Sequence, residues 1–89
     1  MVTASISSDD TYSEVLIIPA GTFNLSIWGT FSATVTVQRT FDDGDTWLDV
    51  RDFTSNGEWF GTEGEGSKYR IGIKSGNYTS GTVNLRMAV

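Results

Sequence analysis

Four stretches of this chain alternate apolar and polar residues with a period of two, and that pattern admits only one kind of element. In Thr22–Trp28, the residues Phe23, Leu25 and Ile27 share one face, and Asn24, Ser26 and Trp28 share the other. Ala33, Val35 and Val37 then oppose Thr34, Thr36 and Gln38. Tyr69, Ile71 and Ile73 oppose Lys68, Arg70, Gly72 and Lys74, and Val83, Leu85 and Met87 close the series. No stretch carries a sustained 3.6-residue period.

Three further runs read as strands from their β-branched and aromatic content. They are Glu14–Ile18, Trp47–Phe53 and Glu58–Glu63. In the second of these, Leu48 and Val50 fall on one face, with Trp47, Asp49, Arg51 and Phe53 on the other. Turn signals punctuate the runs. Pro19-Ala20-Gly21 ends one strand, Gly29–Ser32 reads as a connection, and Asn56-Gly57, Gly64-Glu65-Gly66 and Ser75-Gly76-Asn77 mark turns. Tyr78–Gly81 reads as the approach to a last strand over Thr82–Met87. With a further segment near Thr3–Ser7, this makes about seven to eight short strands. The connections are too short for parallel crossovers. The expected fold is therefore all-β, an antiparallel β-sandwich or jelly-roll-like arrangement. Residues 1–13 read as an N-terminal arm or an edge strand, and residues 14–89 as a single β-sandwich domain.

Composition removes several kinds of chemistry. The 89 residues include no Cys and no His, so no disulfide forms and the usual zinc and haem sites have no ligands. A domain this small then relies on packing or on a partner chain. A net charge of −5 disfavours nucleic acid and anionic membranes as partners. Met1–Asp10 lacks a basic and apolar leader pattern, and the longest apolar run is Val15–Ile18, so synthesis in a cytoplasm is expected.

The most specific local pattern is Thr40-Phe41-Asp42-Asp43-Gly44-Asp45-Thr46-Trp47. Its residues Thr40, Asp42, Gly44, Thr46 and Trp47 match Ser/Thr-x-Asp-x-Gly-x-Thr-Trp, and the segment resembles the Asp-box, a hairpin motif of sialidases and other β-rich proteins. The resemblance implies a folding device at a hairpin tip that fixes strand register. The Asp42 carboxylate is suited to accept backbone N–H bonds, Gly44 to adopt a conformation a β-carbon disfavours, and Trp47 to cover the hairpin base. Asp42, Asp43 and Asp45 crowd the loop, but the helix-flanked calcium loop with its terminal Glu is absent. Arg39, Arg51, Arg70, Arg86, Tyr12, Tyr69 and Tyr78 supply sialidase-like residue types on a chain far too short for a sialidase propeller. Glu58, Glu63 and Glu65 read as a solvated rim. The acidic Gly61–Gly66 segment is unsuited to cradling phosphate. No catalytic residue, metal ligand or cofactor is expected, and the chain reads as a non-enzyme. Trp28, Trp59 and Tyr78 remain as candidate interface or glycan-contact aromatics.

Taken together, the blocks Pro19–Ser26, Thr34–Trp47 and Tyr69–Val83 resemble small β-sandwich virion proteins of tailed bacteriophages. The resemblance implies a protein made in the host cytoplasm and carried on the virion. Its expected role is capsid decoration or cementing, as a homo-oligomer, a trimer, against the major capsid protein or another virion protein. Two alternatives stand beside it. One is a carbohydrate-binding or adhesion module of a head or tail fibre with a glycan as ligand, and the other is a tail or connector component.

Overall fold

The computed structural model describes residues 1–89, and it is all β. Nine strands follow one another: β1 (Val2–Ile6), β2 (Thr11–Tyr12), β3 (Leu16–Ile18), β4 (Gly21–Ala33), β5 (Val35–Thr40), β6 (Leu48–Phe53), β7 (Gly57–Glu63), β8 (Ser67–Ile73) and β9 (Tyr78–Ala88). They form two antiparallel sheets. The first has the order β1-β9-β4-β7, and the second β2-β8-β5-β6, with β3 also pairing β8.

The period-two pattern decides which faces meet. Phe23, Leu25 and Ile27 of β4, with Val83, Leu85 and Met87 of β9 and Ile6 of β1, line the inside of the first sheet. Val35 and Val37 of β5, Tyr69, Ile71 and Ile73 of β8 and Ile18 of β3 line the second, and all are buried. Each such aliphatic or Phe side chain contributes roughly 1.5–3 kcal/mol by leaving water.

Two strands are longer than the sequence pattern indicates. Gly29–Ser32 is not a connection, because β4 continues through it and pairs β9 as far as Ala33 opposite Tyr78. Tyr78–Gly81 likewise belongs to β9. The glycines that look like breaks instead let both strands bend within the ladder. Gly29 and Gly81 have φ of 130° and 88°. A β-carbon on Gly81 would collide with the Thr30 carbonyl, and one on Gly29 would lie 2.5 Å from the Thr82 carbonyl oxygen. Only a residue without a side chain allows the two backbones to approach there.

The first strand of the second sheet is divided. β2 and β3 lie end to end along the outer side of β8, and Ser13 bridges the gap. Its N–H donates to the Ile71 carbonyl at 2.7 Å, and its hydroxyl oxygen accepts from the Ile71 N–H at 3.1 Å. The run expected from Glu14 begins as a strand only at Leu16.

β6 departs most from simple alternation. It pairs Arg51 with Val37 and Asp49 with Gln38, so Val50 is the extra residue of a β-bulge. Leu48, Arg51 and Phe53 therefore sit opposite the inward residues Arg39, Val37 and Val35, while Asp49 and Asp52 sit opposite the outward Gln38 and Thr36. The expectation that Leu48 and Val50 share one face fails because the bulge resets the phase.

Two glycines separate backbone strain from close approach. Gly76 also has positive φ, at 86°, but open space around its Cβ position. Gly76→Ala is expected to cost about 1 kcal/mol from conformation alone. Gly81→Ala is expected to cost about 2–4 kcal/mol, because a backbone carbonyl must also move. Urea unfolding of the two variants measures the difference.

Candidate functional site

The hairpin loop between β5 and β6 is built around two side chains. The Thr40 hydroxyl donates to Asp42 Oδ1 at 2.8 Å and accepts from the Gly44 N–H at 2.9 Å. The same Asp42 oxygen accepts from the Thr46 N–H at 2.8 Å. The Thr46 and Thr40 bonds hold the Asp42 carboxyl below its usual range. Asp43 and Gly44 take positive φ, 61° and 96°, which turns the chain back toward β6. The Asp43 carboxylate is engaged by Lys68. Asp42 and Asp43 are thus committed to the turn and to an ion pair, Asp45 stands exposed, and nowhere do three His, Cys, Asp or Glu side chains converge in a metal-holding group.

Trp47, the last residue of the motif, turns onto the outer face of the second sheet. Its ring lies against the Arg70 guanidinium at 4.3 Å, and Tyr12 covers the same guanidinium at 3.9 Å. Arg70 is therefore held between two aromatic rings, one from the hairpin and one from the N-terminal edge. It also donates from Nε to Gln38 Oε1 at 2.8 Å. Gln38 Nε2 passes the chain on to Asp49 Oδ1 at 3.0 Å, and Lys74 donates to Asp49 Oδ2 at 2.6 Å. The Lys74 and Gln38 bonds lower the Asp49 pKa, and Asp49 in turn raises that of Lys74. Beneath this network Thr36, Gln38 and Thr40 are buried although they point away from the core.

Sequence reasoning missed the site with the strongest electrostatics. Glu63 is not part of a solvated rim; it is buried at the inner end of β7. Its Oε1 accepts from Arg39 Nε at 2.9 Å and from the Tyr69 hydroxyl at 2.7 Å. Its Oε2 accepts from the N–H groups of Glu65 and Gly66 at 3.0 and 2.8 Å, and from Arg39 Nη2 and the Ser67 hydroxyl at 3.3 and 3.4 Å. Arg39, chiefly, and then Tyr69 and the backbone donors hold the Glu63 carboxyl at about 2 despite burial. Burial, and then Glu63, push the Tyr69 hydroxyl up to about 12. The parity of the strands carries the signal that was overlooked. Arg39 continues the inward series Val35 and Val37, and Glu63 continues the inward side of β7.

These pairs are poorly disposed for catalysis. An ionised Glu63 saturated with six donors has little basicity left, and a Tyr69 hydroxyl raised to about 12 is not a ready nucleophile. No buried side-chain nitrogen or oxygen lacks a partner.

The three candidate aromatics separate. Trp59 points inward, edge-on to Phe23 and Phe53 with ring centroids 5.8 Å away in both cases, and Arg51 lies over it. It is a core-margin residue. The Tyr78 hydroxyl donates to the Gly81 carbonyl at 2.9 Å, closing the start of β9. Trp28 stands on the outer face of the first sheet, 48% exposed, beside a shallow pocket lined by Thr3, Ser5 and Asn84. The largest groove lies elsewhere, about 530 Å³ between Ile17, Phe41, Asp43 and Lys68. Compared with known proteins, the chain matches no family model, and no curated protein matches it in sequence.

Two outcomes follow from the Glu63 geometry. Stability is fully present above the ordinary carboxyl pKa of 4.5 and is lost as pH falls toward about 2, where folded Glu63 protonates. It is also present below the ordinary tyrosine pKa of 10.0 and is lost as pH rises toward about 12. Melting temperature against pH should fall at both ends, and Glu63→Gln should flatten the acid limb while costing about 2–4 kcal/mol at neutral pH. In the hairpin, Asp42→Ala and Gly44→Val should each lower the melting temperature, read from thermal melts.

Proposed function

We propose that this chain is a non-enzymatic structural protein of a phage virion, a capsid decoration or cement protein bound to the major capsid protein. The observation that carries the reading is the contrast between a spent interior and an apolar exterior. The one buried acid, Glu63, is saturated with donors, and Asp42 and Asp49 nearer the surface are likewise held by hydrogen bonds and an ion pair, yet Ile17, Phe41 and Phe60 are 67%, 63% and 70% exposed. Uncovered large apolar side chains on so small a domain suit protein contact better than turnover of a small molecule. Ile17 and Phe41 flank a groove that also presents Lys68, Asp43 and Glu65, which gives an apolar contact a charged border. The phage assignment is supported by the resemblance of the Pro19–Ser26, Thr34–Trp47 and Tyr69–Val83 blocks.

The mechanism is mass action. A protein that binds only the assembled shell stabilises it by RT ln(1 + [L]/Kd), roughly 2.7 kcal/mol at a hundredfold excess over Kd. Purified particles should therefore contain the chain in hundreds of copies, and shells stripped of it should disrupt at lower temperature and recover on adding it back. Quantitative mass spectrometry measures the copy number. A handful of copies per particle would place the chain in the tail or connector instead. Phe41→Asp should weaken rebinding to stripped shells about tenfold or more without lowering the melting temperature of the free protein.

One observation favours a second reading, a glycan-binding module. Trp28 offers an accessible ring among hydroxyl and amide groups of Thr3, Ser5 and Asn84. Quenching of tryptophan fluorescence by a glycan, abolished by Trp28→Ala, would support that reading over shell binding.

A further inference from the structure

The two sheets end in edges that differ in how they are protected. In the second sheet the β2–β3 edge is interrupted between Tyr12 and Leu16. On its other side β6 carries the bulge at Val50 and the charges Asp49, Arg51 and Asp52. In the first sheet β1 is five residues long, and its outward Thr3 and Ser5 have little apolar surface to cover. β7 has no break and no bulge, and of its two charges Glu63 is buried and only Glu58 is exposed. Its seven residues pair β4 in unbroken register, from Gly21 opposite Glu63 to Ile27 opposite Gly57. Its other side therefore presents an equally regular row of unpaired backbone groups. Its outward residues Glu58, Phe60 and Thr62 are all exposed.

We propose that β7 is a twofold contact, where a second copy of this chain pairs edge to edge, antiparallel and centred on Phe60. The sequence of the strand is complementary to its own reverse. In this register Phe60 of one copy meets Phe60 of the other, and Glu58 of each copy meets Thr62 of the other. On the inner face, Trp59 of each copy meets Gly61 of the other. An aromatic pair, two carboxylate–hydroxyl pairs and two tryptophans beside glycines result, and no like charges are opposed. Position 61 cannot carry a side chain, because a β-carbon there would lie 2.5 Å from the Phe23 ring, so no second side chain is set opposite Trp59.

Neighbouring registers are worse. A shift of one residue in the pairing sets outward side chains against inward ones. Centring on Trp59 places Glu58 against Phe60, and centring on Gly61 places Trp59 against Glu63, whose carboxylate is already saturated. A foreign strand would have to reproduce this pattern by chance, whereas a second copy supplies it by symmetry. The contact is also closed, since each copy uses its β7 edge once and no filament follows. It gives a domain without disulfides the added support that small chains commonly draw from oligomerisation. It does not depend on the virion reading and implies a twofold order in place of the threefold one expected from the resemblance.

Sedimentation velocity on the full chain, at concentrations up to about 1 mM, tests the contact. A dimer is expected, with concentration-dependent protection of β7 amides from hydrogen exchange. Thr62→Glu sets a carboxylate opposite Glu58 at two symmetric places and should weaken the dimer about tenfold. Adding Glu58→Lys makes both places opposite in charge and should restore affinity to within about threefold of the original. Melting temperatures of each variant at low concentration separate loss of pairing from loss of folding. A chain that stays monomeric throughout overturns the proposal. So does a dimer indifferent to Thr62→Glu, or one that Glu58→Lys fails to restore while both variants remain folded.

Discussion

Glu63 is the point at which the two sheets are locked to each other by something more directional than apolar contact. It belongs to the first sheet through β7, while Arg39 and Tyr69 belong to the second through β5 and β8. Apolar faces can slide with little penalty, because burial is roughly proportional to area and has no preferred direction. A carboxylate with six donors cannot slide. Any displacement of one sheet on the other leaves a buried charge with fewer partners, and that costs far more than the apolar contacts exchanged. The same carboxylate orders the β7–β8 turn by accepting from the Glu65 and Gly66 N–H groups. Inter-sheet alignment and local turn geometry are therefore fixed by one residue.

The outer face of the second sheet is organised on the same logic but at the surface. Arg70 between Tyr12 and Trp47 ties the N-terminal edge to the hairpin loop across β8 and β5. Gln38 and Asp49 extend that tie to Lys74 and to β6. The Asp-box-like segment thus has a longer reach than its loop. Its Thr40 and Asp42 close the turn, and its Trp47 delivers a ring to a cation that no local interaction would place there. The hairpin lies at the margin of its sheet, because β6 is the edge strand.

What could be read from the sequence was what period two controls. Phe23, Leu25 and Ile27, or Tyr69, Ile71 and Ile73, declare their faces because each strand keeps its phase. The residues that escaped are those where phase or punctuation is reset by a partner strand. Val50 becomes a bulge only because Gln38 and Val37 demand Asp49 and Arg51 opposite them. Gly29 and Gly81 signal turns locally, and continue strands only because each strand brings a backbone carbonyl close to the other's glycine. Glu63 was legible by parity, as an inward charge, but its acid neighbours Glu58 and Glu65 disguised it as one of a solvated group. The resemblance to phage virion proteins led toward an external role. It does not indicate which face would perform such a role.

The two sheets differ in what they leave available. The second covers its outer polar residues around Arg70, Gln38 and Asp49 with linked side chains, and leaves Ile17 and Phe41 exposed at its groove end. The first has only short cross-strand links on its outside: Ser26 to Glu58 at 2.6 Å, Ser5 to Asn84 at 2.7 Å, and Arg86 to Asn24 at 3.3 Å. Between them stand Trp28 and Phe60, with no side chain laid over either ring as Trp47 and Tyr12 are laid over Arg70. Displacing a satisfied polar network costs desolvation, whereas covering an exposed ring is favourable from first contact. Covering Trp28 and Phe60 on the first sheet, or Ile17 and Phe41 at the groove end of the second, therefore works with the surface energetics, while the linked network around Arg70 and Asp49 is better suited to holding the domain rigid.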